Sequence, residues 1–413
     1  MSNINKTKIN ISKKYIMYII YALIISTYLI GASKIYRNLS DIKYILILLY
    51  IIISLIFLKF KLPNNKLTNE IFILLTIFIT IPPILNILIL RVNTNIYINI
   101  SLHLILIIFF YLVSVDKNDV NKYILITFII SSFYLIIIFL INDGINTLNP
   151  SNIKYALSSD LDFRKRQTYG LYHVNALGNL CFIIIISGIY LVKNFEYKKK
   201  INKYITILMA LFVNYILILS GSRGAITSII LFLIVYCMVK FLTKNYKSLQ
   251  LKLVSIIILL LISFILVMSF VDIAMIDSLI EYMNRFKYWA DTIDYMKSLN
   301  PIHMLIGLGF YSPGYLFNSS IYTPPITDNS FLYTFMILGF FGVVLLLCVV
   351  ILIFIKLTKY LLLNRDNKSI YFFTFFIIYI YYCNIETILF MPDQMSSLVF
   401  WVYILTYINS MKK

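Results

Sequence analysis

The sequence predicts an all-α, polytopic membrane protein: a single integral membrane domain over residues 1–413, with about twelve transmembrane helices (ten to twelve) and one large extracytoplasmic loop carrying an amphipathic helix. Three observations carry that expectation. Hydrophobic residues make up 61% of the chain and charged residues 13%, with a mean hydropathy of +0.89, whereas soluble domains run near roughly 45–50% apolar and about 25% charged. Apolar stretches of membrane-spanning length recur along the chain. Basic residues collect in alternate connecting segments.

A helix needs about 20 mostly apolar residues to cross the hydrocarbon core. Twelve stretches meet that need: 15–32, 42–58, 71–90, 96–115, 123–141, 171–192, 204–220, 224–242, 253–271, 330–355, 370–390 and 394–410. Pro82 and Pro83 interrupt the third, a kink that holds only where neighbouring helices pack against it. The first stretch is followed by charged residues rather than a small-residue cleavage site, so it reads as a retained span. No internal repeat of the inverted-transporter kind stands out. Cys181, Cys237, Cys348 and Cys383 each lie in an apolar run without a C-x-x-C pair. They read as small buried hydrophobes, not as a disulfide framework or a zinc site.

With the N-terminus placed in the cytoplasm, the inner segments hold 24 of the 36 basic and 5 of the 17 acidic residues, a net +19. The outer segments hold 12 of each and net zero. The whole net charge therefore obeys the positive-inside rule, with both termini cytoplasmic, and the basic balance calls for no nucleic-acid partner. Arginine breaks the pattern. Arg37, Arg91, Arg164, Arg166, Arg223 and Arg285 are all outside, and only Arg365 is inside. Its planar fork suits bidentate phosphate binding, so an outward site for a phosphorylated ligand is expected.

Two outer segments are long enough to build such a site. The first, 142–170, ends near the basic cluster Arg164, Lys165 and Arg166. The second is the large loop 272–329, where Leu279, Met283, Phe286, Ala290 and Ile293 recur at helical spacing beside Trp289 and Met296. Asp277, Glu281, Asp291 and Asp294 fall on the other side, an amphipathic pattern expected at the membrane interface. Asp160-Leu161-Asp162 is a D-x-D, a pattern that suits a hard cation but is common in polar loops, and no metal site is assigned to it. His103 lies within a span and reads as core.

The sharpest local signal is Ser220-Gly221-Ser222-Arg223-Gly224-Ala225, between two apolar runs. Arg223 falls at the start of a helix, where the dipole disfavours a cation. An anion bound there would satisfy the free backbone N–H groups and the guanidinium together, with Ser222 as N-cap.

The string SGSRGA between two spans resembles the signature of the O-antigen ligase and polymerase superfamily, which includes Wzy-type polymerases and WaaL-type ligases. Three further stretches are similar to that family's pattern, in its order: Gly170-Leu-Tyr-His173-Val-Asn175-Ala-Leu-Gly178; Arg285 to Trp289 followed by Gly307-Leu308-Gly309; and Asp328-Asn329-Ser-Phe-Leu followed by Gly339-Phe-Phe-Gly342. Together they cover roughly residues 170–345. The resemblance implies an enzyme of the bacterial cytoplasmic membrane that transfers a whole oligosaccharide from a polyprenyl diphosphate. It needs no nucleotide or other cofactor, because the donor linkage already stores the driving energy. Arg223 and Arg285, with Arg164 or Arg166 and Ser222, would then bind the diphosphate. Asn175, Asn329, Trp289 and Glu386 would complete the substrate site. A group must also take the proton of an acceptor hydroxyl; His173 and Asp328 are candidates, with Glu386 ranked below them. Asp328 reads equally as a cap for the following helix, and His173 as a satisfied interfacial histidine.

The leading expectation is a polymerase that joins polyprenyl-diphosphate-linked repeat units into a capsule, exopolysaccharide or O-antigen on the outer face of the membrane. Its partners would be those lipid-linked oligosaccharides, membrane lipid, and a flippase and chain-length regulator of the same pathway. The family's ligases usually carry His where Asp328 stands, which speaks against a ligase. A ligase moving the finished glycan to another acceptor remains a rival, as does a transporter or flippase for the same lipid. The transporter would need ionisable residues at several midplane positions, and these are scarce.

Overall fold

Nearly every described segment is helical, because an apolar run removed from water must satisfy its own backbone. A computed structural model of the chain describes residues 2–33, 41–57, 66–90, 95–115, 119–142, 144–149, 151–156, 166–245, 289–298, 301–309 and 329–411. Fourteen α-helices occur among them: α1 (Ser2–Gly31), α2 (Ile42–Phe57), α3 (Lys66–Leu90), α4 (Asn95–Val115), α5 (Val120–Ile141), the short α6 (Ser151–Ala156), α7 (Val174–Asn194), α8 (Lys200–Ser220), α9 (Arg223–Asn245), α10 (289–298), the short α11 (Pro301–Ile306), α12 (Ser330–Asn364), α13 (Asn367–Cys383) and α14 (Met395–Ser410). An isolated antiparallel bridge joins Ser33 to Leu171.

The long helices form a ring. Following their contacts, α1 packs on α2, then α4, α3, α12, α13, α9, α7, α5 and back to α1, while α8 packs on α7. α14 touches α4, α5, α7 and α13 and runs through the middle. Every residue from 396 to 408 is buried, as expected of a helix that is apolar all round.

Among the described residues, seven helices are long and apolar enough to cross a membrane, and Tyr15–Gly31, Ile42–Phe57 and Met395–Ser410 are shorter apolar helices. Two of the twelve expected stretches need comment. The stretch 253–271 lies outside the described residues. The stretch 370–390 does not run as one helix: α13 stops at Cys383, and 384–394 continues as irregular backbone that is buried or half-buried except at Asn384 and Asp393. Side chains from the ring and from α14 make that possible by supplying partners the helix would have provided. Tyr379 Oη donates to Ile388 O at 3.0 Å, Trp401 Nε1 to Leu389 O at 2.7 Å and Tyr28 Oη to Pro392 O at 2.7 Å. Ser397 Oγ donates to Leu389 O and accepts from Met391 N, both at 3.2 Å. The cysteines also divide: Cys181 and Cys383 are buried, but Cys237 and Cys348 are exposed on helix surfaces, where an apolar side chain faces lipid at no cost.

Pro82 and Pro83 are buried within a continuous α3, packed against α12 and α11. One turn later, Asn86 Nδ2 donates to Ile306 O at 2.7 Å. α12 itself breaks at Gly339, which sits at φ 67°. The break removes the helical donors for the preceding turn. Gly307-Leu308-Gly309 replaces them: Leu308 N donates to Met336 O at 2.9 Å and Gly309 N to Ile337 O at 2.8 Å. The two backbones come so close that a Cβ on Gly307 would fall 2.2 Å from Ile337 O, and one on Gly339 would fall 2.4 Å from Gly307 N. Only glycine fits either position.

α10 is amphipathic, with Thr292 and Met296 buried and Asp291, Asp294 and Lys297 exposed. Ala290, expected on the apolar face, is exposed. The buried face meets protein, since Met296 clusters with Leu308 and Met336.

Gly307→Ala and Gly339→Ala are each expected to destabilise the protein by on the order of 1–3 kcal/mol, read as a lower Tm in detergent. Ser101→Ala, at an exposed helical position, serves as control. Wild-type Tm in both glycine variants would show that the docking of the two backbones contributes nothing.

Candidate functional site

Five separate parts of the chain meet at one end of the bundle: the end of α8 and start of α9, the start of α7, the loop before it, the segment after α13, and the start of α12. Each contact is specific. α8 ends at Gly221, in the left-handed region at φ 61°, and α9 begins at Arg223. Gly221 lies under neighbouring chain, so that a Cβ there would fall 2.6 Å from Ala156 O and 3.3 Å from Arg166 Cγ. Arg166 is thus laid across the turn that carries Arg223, and Gln167 N donates to Leu219 O at 3.3 Å. The loop bearing Arg166 is fixed from behind. Tyr169 Oη bonds to Thr147 Oγ1 at 2.7 Å and Asn142 Nδ2 donates to Tyr169 O at 3.2 Å. Burial pushes the Tyr169 phenol above its ordinary pKa.

The other face of the turn packs on α7. A Cβ on Gly178 would fall 2.2 Å from Ser222 Oγ, so this close approach again requires glycine. Ser222 is buried, but its hydroxyl does not act as the expected N-cap: among the described residues Oγ has no hydrogen-bond partner. Ser220 Oγ instead accepts from Ser222 N at 3.1 Å and donates to Leu217 O at 2.6 Å. That leaves the first N–H groups of α9 without a side-chain cap from Ser222. Ile226 N finds Ser222 O at 3.1 Å, while the N–H groups of Gly224 and Ala225 precede the first helical acceptor.

Gly224 faces the end of α13: a Cβ there would lie 2.9 Å from Ile385 Cγ2 and 3.4 Å from Tyr382 Cε2. Tyr382 Oη in turn bonds to Asn179 Oδ1 on α7. Next to Ile385 stands Glu386, a carboxylate residue only 6% exposed. Its backbone is pinned by the start of α12. Ser330 Oγ donates to Glu386 O at 2.9 Å and accepts from Ile388 N at 2.9 Å and Leu389 N at 3.1 Å. Asn329 Nδ2 donates to Asn384 O at 3.3 Å.

Of the sequence-predicted residues, Arg166, Ser222 and Arg223 come together at the turn, and Glu386 and Asn329 join them through the segment after α13. Asn329, not Asp328, caps α12, its Oδ1 accepting from Phe331 N at 2.9 Å and Leu332 N at 3.0 Å. His173 is exposed and caps α7, with Nδ1 accepting from Asn175 N at 3.1 Å. In that state the lone pair of Nδ1 is occupied, and the ring's other nitrogen carries the proton. Asn175 is half-buried and contributes its backbone N–H. Trp289 is half-buried on α10, the helix that packs toward α12 through Met296. Arg164, Arg285 and Asp328, and the pair Asp160 and Asp162, lie outside the described residues. His103 is core as expected, stacked on Phe390 at 5.8 Å with Nδ1 donating to Asn99 O at 2.7 Å. Sequence reasoning gave Asn179, Tyr382 and Ser330 no role. Their signal is only a polar residue inside an apolar run, which is weak until the fold supplies its partner.

A family model described as O-antigen ligase matches residues 205–347. That match supports the O-antigen ligase/polymerase superfamily. The O-antigen ligase match begins within α8, takes in the SGSRGA turn and α9, and ends beyond the Gly339 break of α12. It thus contains the turn with Arg223, the Gly307-Gly309 hook and the Asn329-Ser330 cap. Arg166, the α7 N-terminus and Glu386 lie outside it and reach the turn through the fold. No curated protein matches the chain.

Asn329→Ala is expected to cost about 1 kcal/mol through the lost cap, with Asn329→Asp retaining most of it. Thermal unfolding of the purified protein reads the difference; equal Tm values for Ala and wild type would contradict the cap.

Proposed function

We propose that the protein is a glycosyltransferase that joins polyprenyl-diphosphate-linked oligosaccharide repeat units into a surface polysaccharide. The observation that carries this reading is the position of Arg166 against the turn from which Arg223 opens α9, with a buried Ser222 hydroxyl beside it that has no hydrogen-bond partner among the described residues. Guanidinium groups and a helix N-terminus favour the same ligand, an anion with several oxygens. A diphosphate leaving group is such a ligand. The family match supports it independently.

On this reading the acceptor's hydroxyl oxygen attacks the donor's anomeric carbon. A new glycosidic C–O bond forms as the bond to the diphosphate oxygen breaks, and the electron pair leaves with the polyprenyl diphosphate. Arg223 and Arg166 neutralise the charge that develops there. The acceptor proton passes to a carboxylate. Glu386 is the acidic residue that the described structure seats beside the turn, and Asp328, next to the Asn329 cap, is the alternative. His173, with Nδ1 engaged as a cap, suits hydrogen-bond donation better than proton removal.

The site is proposed to face away from the cytoplasm. Lys193, Lys198, Lys199, Lys200 and Lys203 gather around the α7–α8 connection, at the end of these helices opposite the turn, and such clusters stay inside. In a background lacking the exposed Cys237 and Cys348, Tyr172→Cys is expected to react with an impermeant maleimide in intact cells and Lys198→Cys only after lysis. The reverse result overturns this orientation.

The name of the matched family favours one second reading, a ligase that transfers a finished glycan once. Product length separates the two. In a deletion strain, Arg223→Ala is expected to slow polymerisation by roughly 10²–10³-fold, leaving single-unit glycan in place of a ladder. Arg223→Lys, a point charge without the fork, should restore short chains only. Full-length chains with both variants would remove Arg223 from the mechanism. A single transfer without a ladder in wild type selects the ligase.

A further inference from the structure

A second cleft opens at the same end of the bundle, separated from Arg223 by the first turns of α7. Gly178 faces the SGSRGA turn, whereas Asn179 lines the cleft together with Tyr28, Tyr134, Tyr172, Asp393 and Gln394. It is a shallow, open cleft rather than an enclosed cavity, spanning about 420 Å³ when the solvent at its mouth is included.

Its chemistry differs from that of the arginine site. The cation beside it is Lys43, whose side chain is 2% exposed and ion-paired with Asp393. Lys43 Nζ also stands 5.0 Å from the ring centroids of Tyr28 and Tyr44. A buried lysine requires such a partner, since an uncompensated charge there is strongly unfavourable. The pairing fixes the carboxylate. Both of its bonds, from Lys43 Nζ and from Tyr44 Oη at 3.3 Å, go to Oδ1, while the Asp393 side chain is 74% exposed. Oδ2 is left for a ligand. Gln394 Nε2 donates to Tyr172 Oη at 3.0 Å, which turns its amide oxygen the other way as an acceptor. Tyr134 Oη lacks a partner among the described residues.

Among the described residues, the cleft therefore offers acceptors and aromatic faces, and the cation beside it, Lys43, is already neutralised. A phosphate would meet Asp393 Oδ2 and be repelled. A sugar ring presents hydroxyl groups that donate to carboxylate and amide oxygens, and a C–H face that lies on an aromatic ring. We propose that this cleft binds a sugar residue of the acceptor glycan, with hydroxyls on Asp393 Oδ2 and Gln394 Oε1 and the ring over Tyr172. The word acceptor rests on the transferase reading above; the binding of sugar does not.

The test uses full-length protein in detergent and, as probe, the phosphate-free repeat-unit oligosaccharide released from the producing strain's own surface glycan, titrated calorimetrically. Three variants accompany wild type: Tyr172→Ala, Arg223→Ala, and Lys43→Met combined with Asp393→Asn, which leaves no buried charge unpaired. Wild type and Arg223→Ala are expected to bind alike, and the other two to weaken binding about tenfold or more. No binding by wild type, or unchanged binding by both cleft variants, overturns the proposal. So does loss in Arg223→Ala alone, which would assign the sugar to the arginine site. If instead the sugar-binding pattern is as expected while Arg223→Ala cells still make full-length chains, the transferase reading falls and the cleft stands.

Discussion

The site depends on one constraint: backbone that leaves a helix inside the bundle must find every hydrogen-bond partner within the protein. The stretch 384–394 does so by borrowing side chains. Ser330 serves three backbone groups at once, and Trp401, Ser397, Tyr379 and Tyr28 serve others. Together these bonds tie the stretch to four helices. The start of α12, the end of α13, α14 and α1 are thereby held to a common geometry, with Glu386 and Asp393 carried on the piece that binds them together.

A second device sets the turn. Glycine at 178, 221 and 224 lets three neighbours, α7, the Arg166 loop and the end of α13, approach closer than any side chain would allow. The outcome is a short connection buried on three sides, from which the guanidinium of Arg223 starts a helix. The same economy recurs at Gly307 and Gly339, where one backbone repairs the break in another. Close-packed glycine contacts and a stitched irregular segment give rigid placement, and rigid placement is what the proposed catalysis by preorganised charge requires.

Much of the fold was legible because span-length apolar runs leave little choice of structure. The stretch 370–390 was not, because Glu386, Pro392 and Asp393 read as ordinary residues near a span end until Ser330 and Trp401 are seen to complete the backbone there. Within the site, Arg223 and its turn stood out through a local string, and Gly178 and Asn329 through similar strings. Ser222 does not act as the cap that the sequence favours: its hydroxyl lies against Gly178, and Ser220 Oγ accepts from Ser222 N. Lys43 and Asp393 lie 350 residues apart, and no local pattern announces a pair of that separation. Pairing across the fold is the information that periodicity and motif spacing lack.

The central claim is that paired guanidinium groups at the SGSRGA turn grip a pyrophosphoryl lipid. Native mass spectrometry of the purified full-length protein with polyprenyl diphosphate tests it without reference to any product. Retention of the lipid by wild type, weakened about tenfold or more when Arg166 and Arg223 are both replaced by Gln, is the predicted result. Equal retention by the double variant, with its fold intact, would contradict the account.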